Sequence, residues 1–117
     1  ETKSTSHISF EHQITTVGIH IPPMILQPFV ENCFKHGDWL FNPEGYIRVS
    51  ITEINNTLIY ITENSKQDIN FEKQKISDGI GISNVEQRLK LHYKNKYQLA
   101  IIESPGQYRT ELTINLN

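Results

Sequence analysis

The apolar residues of this chain change their period along its length, and that change restricts the folds open to it. Ile8, Phe10, His12 and Ile14 stand at every second position, which predicts a strand with one polar inward position. Between Met24 and His36 the residues Ile25, Leu26, Phe29, Val30, Cys33 and Phe34 fall instead at helical spacing and form one stripe. Tyr46–Glu53 and Leu58–Thr62 alternate again around Asn55 and Asn56, and Tyr97–Glu103 and Arg109–Leu116 do so around Ser104-Pro105-Gly106-Gln107, so each pair predicts a hairpin. A second helix is expected from Ser83 to Tyr93, with Val85, Leu89 and His92 on its stripe and Ser83 or Asn84 as its cap. In 117 residues this predicts one domain, spanning 1–117, of the α+β class. The expected architecture is a two-layer sandwich, a mixed but mostly antiparallel sheet with helices on one face.

The ends of the first helix are written in its prolines and glycine. Ile21 is biased to extended backbone by the proline after it, and Pro23 can serve as the first helical residue, where a missing N–H costs nothing. Gly37 is a natural stop. Pro28 breaks the rule, because it removes a helical hydrogen bond and should kink or loosen the first turn. The polar stretch from Asn64 to Asp78 carries only Ile69, Phe71 and Ile76 as anchors, and is expected to be a loop or a short mobile element, a nucleotide lid being one option.

Charge removes several classes of function. With 11 Lys+Arg against 13 Asp+Glu the formal net charge is −2, so no basic field draws the chain to nucleic acid or to an anionic membrane. An anionic ligand must be met by a local arrangement. The single cysteine, Cys33, excludes an internal disulfide and a cysteine-based zinc site, and it lies on the apolar stripe. The five histidines show no zinc-ligand spacing. No apolar run approaches the ~18–20 residues of a membrane span. The chain begins with Glu1 rather than Met, which leads us to expect a segment of a longer protein.

Two stretches could supply the local arrangement. In Glu31-Asn32-Cys33-Phe34-Lys35-His36-Gly37, Asn32 shares a helix face with Lys35 and His36. An amide oxygen can ligate Mg²⁺, an ammonium can meet a phosphate, and an imidazole can reach a phosphate or ribose oxygen. An ordinary solvated helix end would show the same residues. In Asp78-Gly79-Ile80-Gly81-Ile82-Ser83-Asn84 two glycines precede a helix, so backbone N–H groups and a positive dipole end can face phosphate. A tight turn is the plain alternative.

Taken together, the stretches carry a resemblance. Residues 21–37, Ile-Pro-Pro-Met-Ile-Leu-Gln-Pro-Phe-Val-Glu-Asn-Cys-Phe-Lys-His-Gly, resemble the N-box of LytS-type sensor histidine kinases, roughly I-P-P-x-x-L-Q-P-L-V-E-N-A-x-K-H-G. Residues 79–93, Gly-Ile-Gly-Ile-Ser-Asn-Val-Glu-Gln-Arg-Leu-Lys-Leu-His-Tyr, resemble that family's second glycine box and following helix. The resemblance implies a Bergerat-type (GHKL) ATP-binding domain using ATP and Mg²⁺. It implies that Asn32 holds Mg²⁺ on the phosphates, that Glu31 helps activate an acceptor histidine, and that Lys35 and His36 face phosphate and ribose. Gly79, Ile80 and Gly81 would end the lid with their N–H groups toward phosphate. Asn84 would lie close to the nucleotide, Arg88 would be structural, and Thr110 would lie near adenine.

One part of the family pattern is absent. The wider family has D-x-G-x-G, whose aspartate accepts from the adenine amino group, whereas this chain reads Thr62-Glu63-Asn64-Ser65-Lys66-Gln67. Alternation along the strand puts Asn64 with Leu58, Tyr60 and Thr62, so Asn64 best matches the aspartate, and Glu63 does so if the register slips by one. The implied function is transfer of the γ-phosphoryl of Mg-ATP to a histidine on a separate dimerisation helix, for relay to a response regulator of the LytTR type. The full protein is expected to be a homodimer anchored in a bacterial plasma membrane, with this domain in the cytoplasm. No acceptor-histidine motif occurs in this chain, so the fragment is not expected to autophosphorylate efficiently. The alternative is a degenerate domain of this fold with weak or no ATP binding, acting as an interaction or scaffold module.

Overall fold

A computed structural model describes residues 7–67 and 84–117. The elements run β1 (Ile8–Ile14), α1 (Pro23–His36), β2 (Ile47–Ile54), β3 (Thr57–Ser65), α2 (84–93), β4 (Tyr97–Ser104) and β5 (Gln107–Asn115). The five strands form one sheet in the order β1-β2-β3-β5-β4. Only β1 and β2 run parallel; the other neighbours are antiparallel. This is the mixed, mostly antiparallel α+β sandwich that the periodicity predicts. Asn55 and Asn56 turn the β2–β3 hairpin with φ of 54° and 65°, the left-handed pair whose twist matches the strands it joins.

Both helices pack on one face of the sheet. Ile25, Phe29 and Cys33 from α1 and Val85 and Leu89 from α2 meet Ile47, Val49, Leu58, Tyr60, Leu112 and Ile114 from the central strands. Phe29 stands edge-on to Tyr60, with ring centroids 5.8 Å apart, and the Tyr60 hydroxyl donates to the Leu26 carbonyl at 2.9 Å. β1 departs from expectation. Phe10 and Ile14 share the register of the inward residues of β2, yet they are 59% and 50% exposed. The cause is position: β1 is an edge strand, and α1 lies over β2 and β3.

The Pro28 problem is solved from another helix. A residue at position 28 would donate to the carbonyl of Met24, and proline cannot. Arg88 on α2 donates from Nη1 to that carbonyl at 3.0 Å. The stripe therefore continues through Pro28, and α1 runs unbroken from Pro23 to His36. The same contact ties the N-terminal turn of α1 to α2.

A buried carboxylate fastens the turn end of the β2–β3 hairpin to the end of β1. Glu53 is fully buried and accepts from the N–H groups of Thr15, Thr16 and Asn56 at 2.8, 2.8 and 2.9 Å, and from the Thr16 hydroxyl at 2.6 Å. The Thr16 hydroxyl first, then these N–H groups, hold its pKa down to about 2 against the cost of burial.

Two predictions follow from these fastenings. Arg88→Ala should lower stability by about 0.5–1.5 kcal/mol, the worth of one hydrogen bond, and Pro28→Ala in that background should recover much of it by returning an N–H to Met24. A double-mutant cycle by denaturant unfolding reads the coupling. Because the Glu53 pKa is depressed on folding, its contribution is complete above the ordinary carboxylate range and fades as pH falls toward about 2. Glu53→Gln should therefore lower the thermal midpoint at pH 7 and flatten its dependence on pH below about 4.

Candidate functional site

The C-terminal end of α1 meets the C-terminal end of β3, and this junction gathers the candidate residues. The Gly37 N–H closes the helix on the Cys33 carbonyl at 3.0 Å. The next residue, Asp38, is buried and donates its N–H to the Ser65 carbonyl at 3.1 Å. The Ser65 hydroxyl donates to Asp38 Oδ1 at 2.6 Å and accepts from the Tyr46 N–H at 2.8 Å. Asn42 Nδ2 donates to the other Asp38 oxygen at 3.0 Å. Gly37 has φ of −78°, so it is not the left-handed stop that its position suggests. A side chain is excluded there by close approach: a Cβ would lie 2.6 Å from the Cys33 carbonyl and 3.2 Å from both Asn64 Nδ2 and the Ser65 carbonyl.

β3 runs through Ser65, three residues beyond the strand that the sequence suggests, so Asn64 and Ser65 belong to the sheet and not to the following loop. Its inward face changes character along its length. Leu58 and Tyr60 are apolar core, whereas Thr62 and Asn64 are polar and equally buried. Thr62 is paired across the sheet with Thr110, and their hydroxyls are 2.5 Å apart. Asn64 is 0% exposed, between Ile47 and Tyr108 on the neighbouring strands. Its Nδ2 donates to the Ser65 carbonyl at 3.0 Å, and its Oδ1 is buried with no hydrogen-bond partner among the described residues. Leaving such an acceptor unmet costs about 1–3 kcal/mol.

Glu63 points to the opposite face. Its carboxylate accepts from the Tyr46 hydroxyl at 2.8 Å, from Arg109 Nη1 at 2.9 Å and from Gln107 Nε2. Arg48 lies 3.6 Å away and stacks over the Tyr46 ring at 4.3 Å. Arg109 also donates to Glu111 at 2.7 Å, and that bond, before its pairing with Glu63, raises the guanidinium pKa. Glu63 is thus committed to cross-strand ion pairing on the face away from the helices. Asn64 and Glu63 are not interchangeable partners for one ligand.

On α1, Asn32 and His36 are half-buried one turn apart, and Lys35 is exposed beside them. Burial, then the neighbouring Lys35, pushes the His36 pKa below its usual value, which favours the neutral ring. His36 can therefore offer a hydrogen bond to an anion, while Lys35 supplies the charge. Glu31 is exposed and accepts from Gln27 Nε2 at 3.0 Å. Asn84 is exposed at the start of α2. Gly79, Ile80 and Gly81 lie outside the described residues, as does most of the stretch expected to form a lid. Among the described residues no group of three His, Cys, Asp or Glu side chains could hold a metal ion. A lone amide oxygen such as that of Asn32 suits a cation that takes most of its ligands from phosphate and water.

Sequence reasoning missed Asp38 and Ser65. Neither sits in a periodic pattern, and their pairing spans 27 positions. It also missed Lys66 and Glu103, a buried ion pair at 3.5 Å, with the Lys66 N–H bound to the Gly106 carbonyl. The Lys66 contacts pin the backbone where the first glycine of D-x-G-x-G would fall if Asn64 matches its aspartate.

No family model matches the chain. It is 30% identical to the sensor protein LytS of Oceanobacillus iheyensis over 80% of its own length, and it spans 19% of that protein. Its fold is similar to that of the Acinetobacter baumannii histidine kinase AdeS, with a TM-score of 0.62 at 13% identity over 97% of this chain and 56% of that one. It is also similar to the catalytic domain of the histidine kinase ThkA, at TM-score 0.60 and 12% identity over 96% and 81% of the two chains. A structure of ThkA in complex with the response regulator TrrA matches at TM-score 0.54 and 10% identity, over 97% of this chain and 35% of that one.

Proposed function

We propose that this chain, which belongs to the LytS-type sensor histidine kinases as their catalytic domain, binds Mg-ATP at the junction of α1 and β3. In the full-length protein it would transfer the γ-phosphoryl to a histidine on a dimerisation helix. The observation that carries the reading is the orphaned Oδ1 of Asn64. It is a buried acceptor on the inward face, and the exocyclic amino group of adenine is a donor that would satisfy it. Thr62 and Thr110 continue the polar end of that face beside it.

The phosphates would then run toward α1. When bound, ATP supplies the phosphoryl group and Mg²⁺ neutralises charge that develops on it. This chain's contribution is positioning. Asn32 is the ligand it offers to the cation, Lys35 a point charge for phosphate, and neutral His36 a hydrogen-bond partner for phosphate or ribose. Glu31 is exposed and, among the described residues, held by a neighbour one turn away, so it can turn toward an incoming acceptor histidine. Gly79, Ile80, Gly81 and Asn84 are assigned to the phosphate side from the resemblance. Beyond the domain we assign a membrane-anchored homodimer, a cytoplasmic location for this part, and a response regulator of the LytTR type as partner. The support is the LytS relative and the complex of ThkA with TrrA.

Titration calorimetry with Mg-ATP tests the reading. Asn64→Leu should cut affinity at least about tenfold while leaving the ligand-free protein as stable or more so by about 1 kcal/mol, because an unmet buried acceptor is removed. Asn32→Ala should abolish the Mg²⁺-dependent part of binding with a change in apo stability within about 0.5 kcal/mol. Absence of any binding at millimolar Mg-ATP by the unaltered protein would favour the scaffold alternative.

A further inference from the structure

The geometry points to Asp38 and Ser65 as a clamp that fixes which atom of the Asn64 amide faces the nucleotide, and so makes them determinants of base selectivity. The inference rests on adenine binding at Asn64. A carboxylate at this position is symmetric, because both oxygens accept. An asparagine is not. Turned one way it presents an acceptor, suited to the 6-amino group of adenine; turned by half a rotation it presents a donor, suited to the 6-oxo group of hypoxanthine or guanine. A chain that carries asparagine here needs something to remove the second orientation.

The Ser65 carbonyl does so. It accepts from Asn64 Nδ2 at 3.0 Å, which leaves Oδ1 as the unmet atom. That carbonyl is itself held in place. The Asp38 N–H donates to it, the Ser65 hydroxyl donates to Asp38 Oδ1 at 2.6 Å, and the Tyr46 N–H donates to the same hydroxyl. Asp38, Ser65 and Asn64 are 4%, 7% and 0% exposed, so water does not compete for these bonds. Asp38 touches no part of the base in this arrangement. It is a positioning residue, acting through Ser65.

The test compares dissociation constants for Mg-ATP and Mg-ITP, whose bases differ along one edge: a 6-amino donor beside an N1 acceptor in adenine, a 6-oxo acceptor beside an N1–H donor in hypoxanthine. The unaltered domain should prefer ATP at least about tenfold, since an acceptor aimed at the 6-position meets a donor in adenine and another acceptor in hypoxanthine. Asp38→Ala and Ser65→Ala keep the carbonyl but remove the side-chain bond that fixes it, and each should narrow that preference about threefold or more as the amide gains its second orientation. Asp38→Asn, which keeps an acceptor for the Ser65 hydroxyl, should retain it. General loosening of the site would weaken both nucleotides alike, so an unchanged ratio in either alanine variant overturns the clamp. The side-chain amide protons of Asn64 give a second readout without nucleotide: their exchange with solvent should quicken in Ser65→Ala, and unchanged exchange also overturns the clamp. If Asn64→Leu keeps full ATP affinity, adenine binding at Asn64 fails first and the clamp falls with it.

Discussion

The junction between Asp38 and Ser65 is the contact that brings the two halves of the candidate site together. It is made of one backbone bond and one short side-chain bond, both buried, and it joins the residue that follows the cap of α1 to the last residue of β3. Each element carries half of the candidate site. α1 brings Asn32, Lys35 and His36, and β3 brings Thr62 and Asn64. The core beneath, from Phe29 to Tyr60, sets the distance between helix and sheet. The junction sets how their ends meet.

Polar residues at that meeting are arranged by face. On the inward side the apolar surface of β3 gives way to Thr62 and Asn64, and an acceptor is left open there. On the outward side Glu63 is saturated by Tyr46, Gln107 and Arg109. Burying an unpaired carboxylate would be expensive, whereas burying a neutral amide with one group met costs far less. Asparagine at 64 thus lets the domain keep an open acceptor in the absence of ligand at modest expense. The orientation it requires comes from the neighbouring carbonyl.

Much of the fold was legible in the residues. The change from period two to the helical stripe located α1, and alternation paired the strands. Asn55 and Asn56 marked their turn. Alternation also chose Asn64 over Glu63 for the inward face, and the extension of β3 to Ser65 keeps that alternation intact. Other features were not legible, because they are made by residues far apart in sequence. Pro28 reads as a defect until Arg88 is seen to fill the carbonyl it abandons. Phe10 and Ile14 read as core, yet β1 is an edge that the helices do not cover. Gly37 reads as a left-handed stop, yet the crowding of Cys33, Asn64 and Ser65 is what requires it.

By itself the sequence determined the element types, the α+β class, and, through residues 21–37 and 79–93, the resemblance to a kinase family. Those are properties of local spacing and of side-chain chemistry, which a linear string preserves. It also determined that a chain of net charge −2 must meet an anion locally. Tertiary structure alone decided that the Asn64 acceptor is left open while the Glu63 carboxylate is saturated, because that depends on what the neighbouring strands place beside each one. It alone decided that Asp38 and Ser65 join the end of α1 to the end of β3, because a hydrogen bond across 27 positions exists only once helix and sheet have packed.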